Sequence, residues 1–251
     1  MEQILVTGGT GTLGRVIVRD LLAHHASVRV LSRQAKPVGA EAEWAVGDLR
    51  SGVGIDDAVM GIDTIIHCAS RRGDVASAQH LLDAAKKANC SHIVFISIVG
   101  VDRIPLRYYK GKLEVERLIE ASGVPYTVVR ATQFHDLIAR LLGALARLPV
   151  MVLPAHVDFQ PIEVAEVAAR LVQLSSGPPA GRVPDMGGPE IRGTKDLARS
   201  YLRASGRRRL IVSVPVPGRG FAGFRRGANL TPEHAVGVVG FDEYLAVNLR
   251  T

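Results

Sequence analysis

Two short runs in this 251-residue chain combine residue types and spacings that can do chemistry. The first is Thr7-Gly8-Gly9-Thr10-Gly11-Thr12-Leu13-Gly14, in which Gly8, Gly11 and Gly14 recur at every third position. A glycine turn that opens a helix lets the backbone approach a phosphate, and the helix start presents free N–H groups and the positive end of its dipole. The run follows the apolar stretch 3–7, so its context is strand, turn and helix, and that context gives such a motif weight. The second run is Tyr108-x-x-x-Lys112. Residues four apart on a helix share a face, which brings the ammonium close to the phenol. A nearby positive charge favours phenolate and moves a pKa of about 10 toward the range of a general acid or base. Neighbouring Tyr109 is excluded from that pairing, because Leu113 and not a lysine follows it at four residues.

The elements that must position these groups alternate along the first two-thirds of the chain. Residues 3–7, 27–32, 43–46, 63–68, 92–97 and 125–130 are short β-branched or apolar runs and read as strands, several of them apolar on consecutive positions as if buried on both faces. Residues 12–24, 55–60, 75–89 and 108–122 have helical spacing, and Gly123 stops the last of them. Strands alternating with helices predict right-handed crossovers and a doubly wound (Rossmann) parallel α/β sheet. Beyond residue 150 the pattern loosens to a helix at 163–175, a strand at 182–187, a helix at 194–205 and a strand at 210–214, with Pro-Gly-rich segments to the end. The expected organisation is a nucleotide-binding domain over 1–175 and a small substrate lobe over 176–251, packed on the same domain.

The second strand ends Leu31-Ser32-Arg33, and no acidic residue follows until Glu41. A site for NAD places a carboxylate there for the ribose hydroxyls. Arg33 instead offers a bidentate clamp for a 2′-phosphate, and Ser32 a further hydrogen bond. NADP(H) is therefore expected ahead of NAD(H).

With its leading Thr-Gly, the G-x-x-G-x-x-G spacing resembles the extended and atypical short-chain dehydrogenase/reductases. The chain is most similar to their NmrA-like branch, well over residues 1–175 and loosely beyond. The resemblance implies that Gly8, Thr10, Gly11, Thr12, Leu13 and Gly14 hold the cofactor, with Ser32 and Arg33 at the 2′-phosphate. It places Asp48, followed by Leu49, at the adenine, and the small residues Ala69 and Ser70 where the cofactor passes over the strand ends. Tyr108 and Lys112 match the family's acid–base pair, Lys112 also serving the nicotinamide ribose. In Arg130-Ala131-Thr132-Gln133-Phe134-His135, Gln133 and Phe134 are the expected far wall of the nicotinamide ring. The family's third catalytic residue is a serine at the end of the fifth strand, here Ile96-Ser97-Ile98-Val99-Gly100. Counting back from Gly100 puts Ser97 in that slot, whereas other alignments put Ile98 there and cost the substrate carbonyl a hydrogen bond.

Composition bounds the remaining classes. Lys and Arg number 31 against 24 Asp and Glu, a net charge of +7, and the excess is mostly arginine, clustered at Arg207–Arg209 and Arg225–Arg226. Neither a helix-turn-helix nor an aromatic-studded basic sheet accompanies that charge, so nucleic acid is not the expected partner. Two cysteines, Cys68 and Cys90, are too few for a disulfide framework or a zinc site. His67 and Cys68 are adjacent strand residues on opposite faces, so no metal is expected. Gly8 and Gly9 interrupt the first apolar run, and no apolar stretch reaches the length of a membrane span, so a reduced, cytoplasmic protein without a membrane partner is expected. The favoured activity is NADPH-dependent reduction of a small carbonyl, quinone or enone. The alternatives are an NADP(H)-binding redox sensor that acts on a protein partner without turnover, and a sugar-nucleotide epimerase, which shares the N-terminal motif but needs a larger lobe.

Overall fold

The computed structural model describes residues 2–69 and 74–249. In chain order its elements are β1 (Gln3–Thr7), α1 (Thr12–Ala23), β2 (Ser27–Ser32), β3 (Glu43–Val46), α2 (Ile55–Val59), β4 (Thr64–His67), α3 (Asp74–Lys87), β5 (His92–Ile98), α4 (Arg107–Ala121) and β6 (Tyr126–Ala131). There follow α5 (His135–Leu145), β7 (Val150–Pro154), β8 (Asp158–Phe159), α6 (Val164–Ser175), β9 (Gly181–Arg182), β10 (Arg192–Gly193), α7 (Thr194–Ala204), β11 (Leu210–Val214), α8 (Arg219–Arg225) and α9 (Phe241–Asn248).

The chain folds into two compact units that interleave along the sequence. The first comprises Met1–Ser97, Gly111–Val129 and Ala165–Val183. The second comprises Ile98–Lys110, Arg130–Val164 and Pro184–Thr251. Residues 98–110 and 130–164, which the sequence alone groups with the nucleotide-binding domain, thus belong with the C-terminal residues.

The first unit is built on a seven-stranded parallel sheet ordered β3-β2-β1-β4-β5-β6-β9. Its registers run Ile4↔Val28 toward β2 and Ile4↔Thr64 toward β4. All four residues of β4 and six of the seven in β5 are buried, as the continuous apolar runs require for strands covered on both faces. The helix α1 meets the sheet through Leu13, Ile17 and Leu21, spaced one turn apart. A core around Leu5, Ile65, Phe95 and Leu81 joins the sheet to α2, α3 and α4. Two buried polar pairs are satisfied within it, Thr7 Oγ1 with His67 Nδ1 at 2.7 Å and His92 Nε2 with Thr127 Oγ1 at 2.8 Å. This is the doubly wound α/β sheet expected from the alternation.

The predicted strand at 182–187 is shorter than its pattern suggests. Pairing is limited to β9 at Gly181–Arg182 and to isolated bridges from Met186 to Ala131 and from Gly187 to Ala235. Pro184 interrupts the run and has no N–H to extend a ladder.

In the second unit, β7 and β11 form a parallel pair and β8 and β10 an antiparallel one. Met151, Leu153, Leu197, Tyr201, Phe241 and Leu245 close its main core between α5, α7, α9 and β7. Periodicity in the sequence does not announce α5, β7, β8, β10, α8 or α9.

Candidate functional site

The glycine turn sits where the strand order reverses, at the carboxyl end of β1 between β2 and β4, the place at which open α/β sheets bind ligands. Gly8 has φ +71°, a left-handed conformation that suits glycine. A Cβ there would lie 2.8 Å from Ala69 N and 2.9 Å from Cys68 C, so the turn rests directly on the backbone that leaves β4. At Gly14 a Cβ would lie 2.2 Å from Gly8 O. The turn closes through Gly11 N–H donating to Gly8 O at 2.9 Å, and α1 starts from Gly11 with no side-chain cap and no acid in its first turn. Thr10, Gly11 and Thr12 are exposed, whereas Leu13 and Gly14 are buried. An uncapped, acid-free helix start behind a cradle that side chains would fill fits a dinucleotide pyrophosphate.

Ser32, Arg33 and Asp48 stand at the ends of the neighbouring strands β2 and β3. Val46 of β3 is in register with Ser32 of β2, and Gly47 N–H donates to Ser32 O at 2.9 Å. Ser32 Oγ accepts from Gln34 N–H at 3.1 Å, and Arg33 is exposed just past it. Asp48 is half-buried, its Oδ1 accepting from Arg50 N–H at 3.0 Å, and the Leu49 carbonyl lies 2.9 Å from His80 Nδ1. Ala69 rests on the glycine turn, and Ser70 lies outside the described residues.

Lys112 is 2% exposed. Its Nζ donates to Ile96 O of β5 at 3.2 Å and lies 4.5 Å from the centre of the Phe95 ring, contacts that offset the cost of burying an ammonium. His67 stacks on that ring at 5.4 Å. Burial, and then the charge of Lys112, lower the His67 pKa to about 3, so the imidazole that holds Thr7 is neutral. Burial pushes the Cys68 thiol up to about 12 against the pull of Lys112, which makes it a poor nucleophile. Ser97 is buried, and its Oγ has no hydrogen-bond partner among the described residues. Two positions on from Phe95, it shares that residue's face of β5. Ile98 faces the other way and packs with Ile104, Tyr109, Ala228 and Phe224.

In the second unit the two adjacent tyrosines differ sharply. Tyr108 is 51% exposed, whereas Tyr109 is 5% exposed and packs edge-on against Phe224 at 6.0 Å. Gln133 Nε2 donates to Tyr109 Oη at 3.2 Å, and Gln133 Oε1 is buried without a partner among the described residues. Burial raises the Tyr109 phenol further above its ordinary pKa, against that hydrogen bond. Phe134 caps α5 and bridges to Ile162. His135 is fully buried, stacked on Tyr244 at 5.2 Å with Nε2 2.9 Å from Val239 O, so it serves packing. Arg130 is buried on Asp102 at 3.1 Å. Partial burial raises the Asp102 pKa, but the Arg130 hydrogen bond and charge outweigh it and hold the carboxylate ionised.

Three contributors escaped sequence reasoning. His67 grips Thr7 below the glycine turn, Tyr109 orients Gln133, and Asp102 neutralises Arg130. Each is set by a partner 24 to 60 positions away, for which local patterning carries no signal. Among the described residues, no three His, Cys, Asp or Glu side chains converge as metal ligands.

A model of the NAD(P)H-binding family matches residues 8–174, well over half the chain. Over 195 residues the chain is 31% identical to the photosystem II assembly factor Ycf39 of Trieres chinensis, covering 68% of this chain and 60% of that protein. Over 136 residues it is 26% identical to quinone oxidoreductase 2 of Escherichia coli (strain K12), covering 51% of this chain and 48% of that one. The chain thus spans about half to three-fifths of the length of these curated relatives. Its fold superposes on the crystal structure of the NADPH-dependent quinone oxidoreductase QOR2 of Escherichia coli complexed with NADPH, with a TM-score of 0.83 at 18% identity, covering 97% of this chain and 99% of that one. The chain belongs to the NAD(P)H-binding family, on its NmrA-like, atypical short-chain dehydrogenase/reductase branch.

Proposed function

We propose that this protein is an NADPH-dependent oxidoreductase that reduces a small carbonyl, quinone or enone. The observation that carries the reading is the glycine cradle at the sheet's reversal point, with Arg33 and no carboxylate at the end of β2. Bound NADPH supplies a hydride. Residues Gly8 to Gly14 and the start of α1 hold its pyrophosphate, Ser32 and Arg33 its 2′-phosphate, Asp48 and Leu49 its adenine, and Ala69 and Ser70 the path between. Gln133 and Phe134 flank the nicotinamide, Gln133 being oriented by Tyr109. Tyr108 Oη gives the substrate oxygen the proton that balances the hydride taken up at carbon. Lys112, one turn along α4, lowers the cost of the resulting phenolate and bonds the nicotinamide ribose. Ser97 is the hydrogen-bond donor to the substrate oxygen, its hydroxyl being unspent. The quinone class is favoured by the relative and the fold neighbour named for that activity.

A second reading, binding of NADP(H) without turnover as part of an assembly or sensing role, is favoured by the Ycf39 relatives and by the burial of Ser97. One experiment separates the two. Purified protein is titrated with NADPH and NADH by fluorescence, then screened for NADPH consumption against quinones, aldehydes and enones. Consumption with at least one class supports the reductase. Tight NADPH binding with no consumption across the screen moves the assignment to the non-catalytic role, and absence of binding sinks both.

A further inference from the structure

The arginine excess is segregated along the chain. Residues 137–157 and 197–232 contain ten arginines and not one aspartate, glutamate or lysine, which leaves 21 basic against 24 acidic residues elsewhere. A general compositional preference for arginine over lysine would not also empty these two segments of acids.

The two segments meet in the second unit, where β7 and β11 pair in parallel with Leu210↔Val150 and Val212↔Val152 in register. Met151 and Leu153 point into the core, so the alternate positions face outward. Val152 is 51% exposed, Leu210 63% and Val212 38%. Arg147, Pro149, Arg208, Arg209 and Leu210 line a shallow concavity at the edge of this apolar face. Arg209 is pinned by Nε donating to Ala146 O at 3.0 Å. The exposed side chains of Arg147 and Arg208 make no hydrogen bond or ion pair among the described residues.

We propose that this face docks on a bilayer carrying anionic phospholipids. The aliphatic side chains enter the glycerol–acyl boundary, and the forked guanidinium groups of Arg147 and Arg208 take lipid phosphates. An aliphatic patch rimmed by unpaired arginines matches that surface chemistry. A second copy would oppose like charges, and the patch offers no aromatic ring on which nucleic-acid bases would stack. Among the described residues no helix is long and apolar enough to cross a membrane, and surface docking needs none.

The test is flotation of the full chain with vesicles of phosphatidylcholine alone and with phosphatidylglycerol added. The protein should float with the anionic vesicles and not the zwitterionic ones, and rising salt should weaken it. Each arginine near such a surface is worth about five-fold in binding, so R147Q/R208Q should weaken flotation about 25-fold with an unchanged melting transition. L210S/V212S should weaken it on the same vesicles, through lost apolar burial. Equal flotation with both vesicle types, no flotation, or R147Q/R208Q behaving like the parent would overturn the proposal. So would capture of an acidic peptide or an RNA oligonucleotide by a protein that does not float.

Discussion

Substituting alanine at Gly14 sets two physical effects of opposite sign against each other. Gly14 lies in the first turn of α1, where helix propensity alone predicts that alanine gains about 0.8–1 kcal/mol. The added methyl would lie 2.2 Å from Gly8 O, 2.7 Å from Gly8 C and 2.7 Å from Gly9 Cα, against an ordinary contact of 3.4 Å or more. Every one of those neighbours is backbone, and Gly8 is itself seated on Ala69, so the turn has no flexible end that can yield. Overpacking of that kind costs about 1–3 kcal/mol, toward the upper end where backbone must move. The net expectation is a loss of about 1–2 kcal/mol and a melting point lower by about 2–4 °C for each kcal/mol. Displacing the turn also spoils the pyrophosphate cradle, so NADPH affinity should fall at least about ten-fold, or about 1.4 kcal/mol. Gly111 supplies the control: it lies inside α4, and a Cβ there would meet nothing within 4 Å. Gly111→Ala should therefore stabilise by about 0.5–1 kcal/mol. Thermal melts and fluorescence titration of both variants measure all four quantities. A Gly14→Ala protein as stable as the parent, with unchanged NADPH affinity, would refute the contact between α1 and the turn on which the cofactor site is built.

Three further outcomes are expected. NADPH should bind at least about ten-fold tighter than NADH, and Arg33→Asp should abolish or reverse that preference by replacing a phosphate clamp with a ribose acceptor; equal affinities in the parent would remove the role given to Arg33. Tyr108→Phe deletes one oxygen from a side chain that is 51% exposed, so the melting point should hold while turnover falls about 10²–10⁴-fold, and full activity in this variant would exclude Tyr108 as proton donor. His67 titrates near 6.5 when unfolded and near 3 when folded, so the unfolded chain binds the extra proton between those values. Its contribution is complete well above pH 6.5 and is lost as the pH falls toward 3, about 2 kcal/mol of it by pH 5. Urea unfolding at several pH values measures that slope, which His67→Gln should flatten; an identical slope in the variant would place the proton uptake elsewhere.

The parts of this protein that its sequence determines are those whose causes are local. The spacing of Gly8, Gly11 and Gly14 announces a turn, because one position needs left-handed backbone and another needs room against backbone, demands that few residues besides glycine meet. The first six strands and four helices are legible for a similar reason. Strands buried on both faces carry apolar runs broken only by polar residues that find partners, and amphipathic helices must repeat every turn, so burial leaves a written period.

Tertiary structure decided what depends on distant partners. Sequence separates Tyr108 from Tyr109 only by the residue four positions on, whereas packing by Phe224 and the hydrogen bond from Gln133 bury Tyr109 and Tyr108 stays half exposed. The spacing of Lys112 pairs it with Tyr108 but does not state its depth, and its burial on Ile96 O and Phe95 follows from the packing of α4 on β5. Residues 98–110 and 130–164 continue the alternation of the first domain but belong to the second unit, where Gly100 lies so close to Ala228 that a Cβ would be 2.1 Å from its carbonyl oxygen. The outward apolar face of β7 and β11 exists because segments about 60 residues apart pair, and neither strand's pattern states which partner will cover its other side.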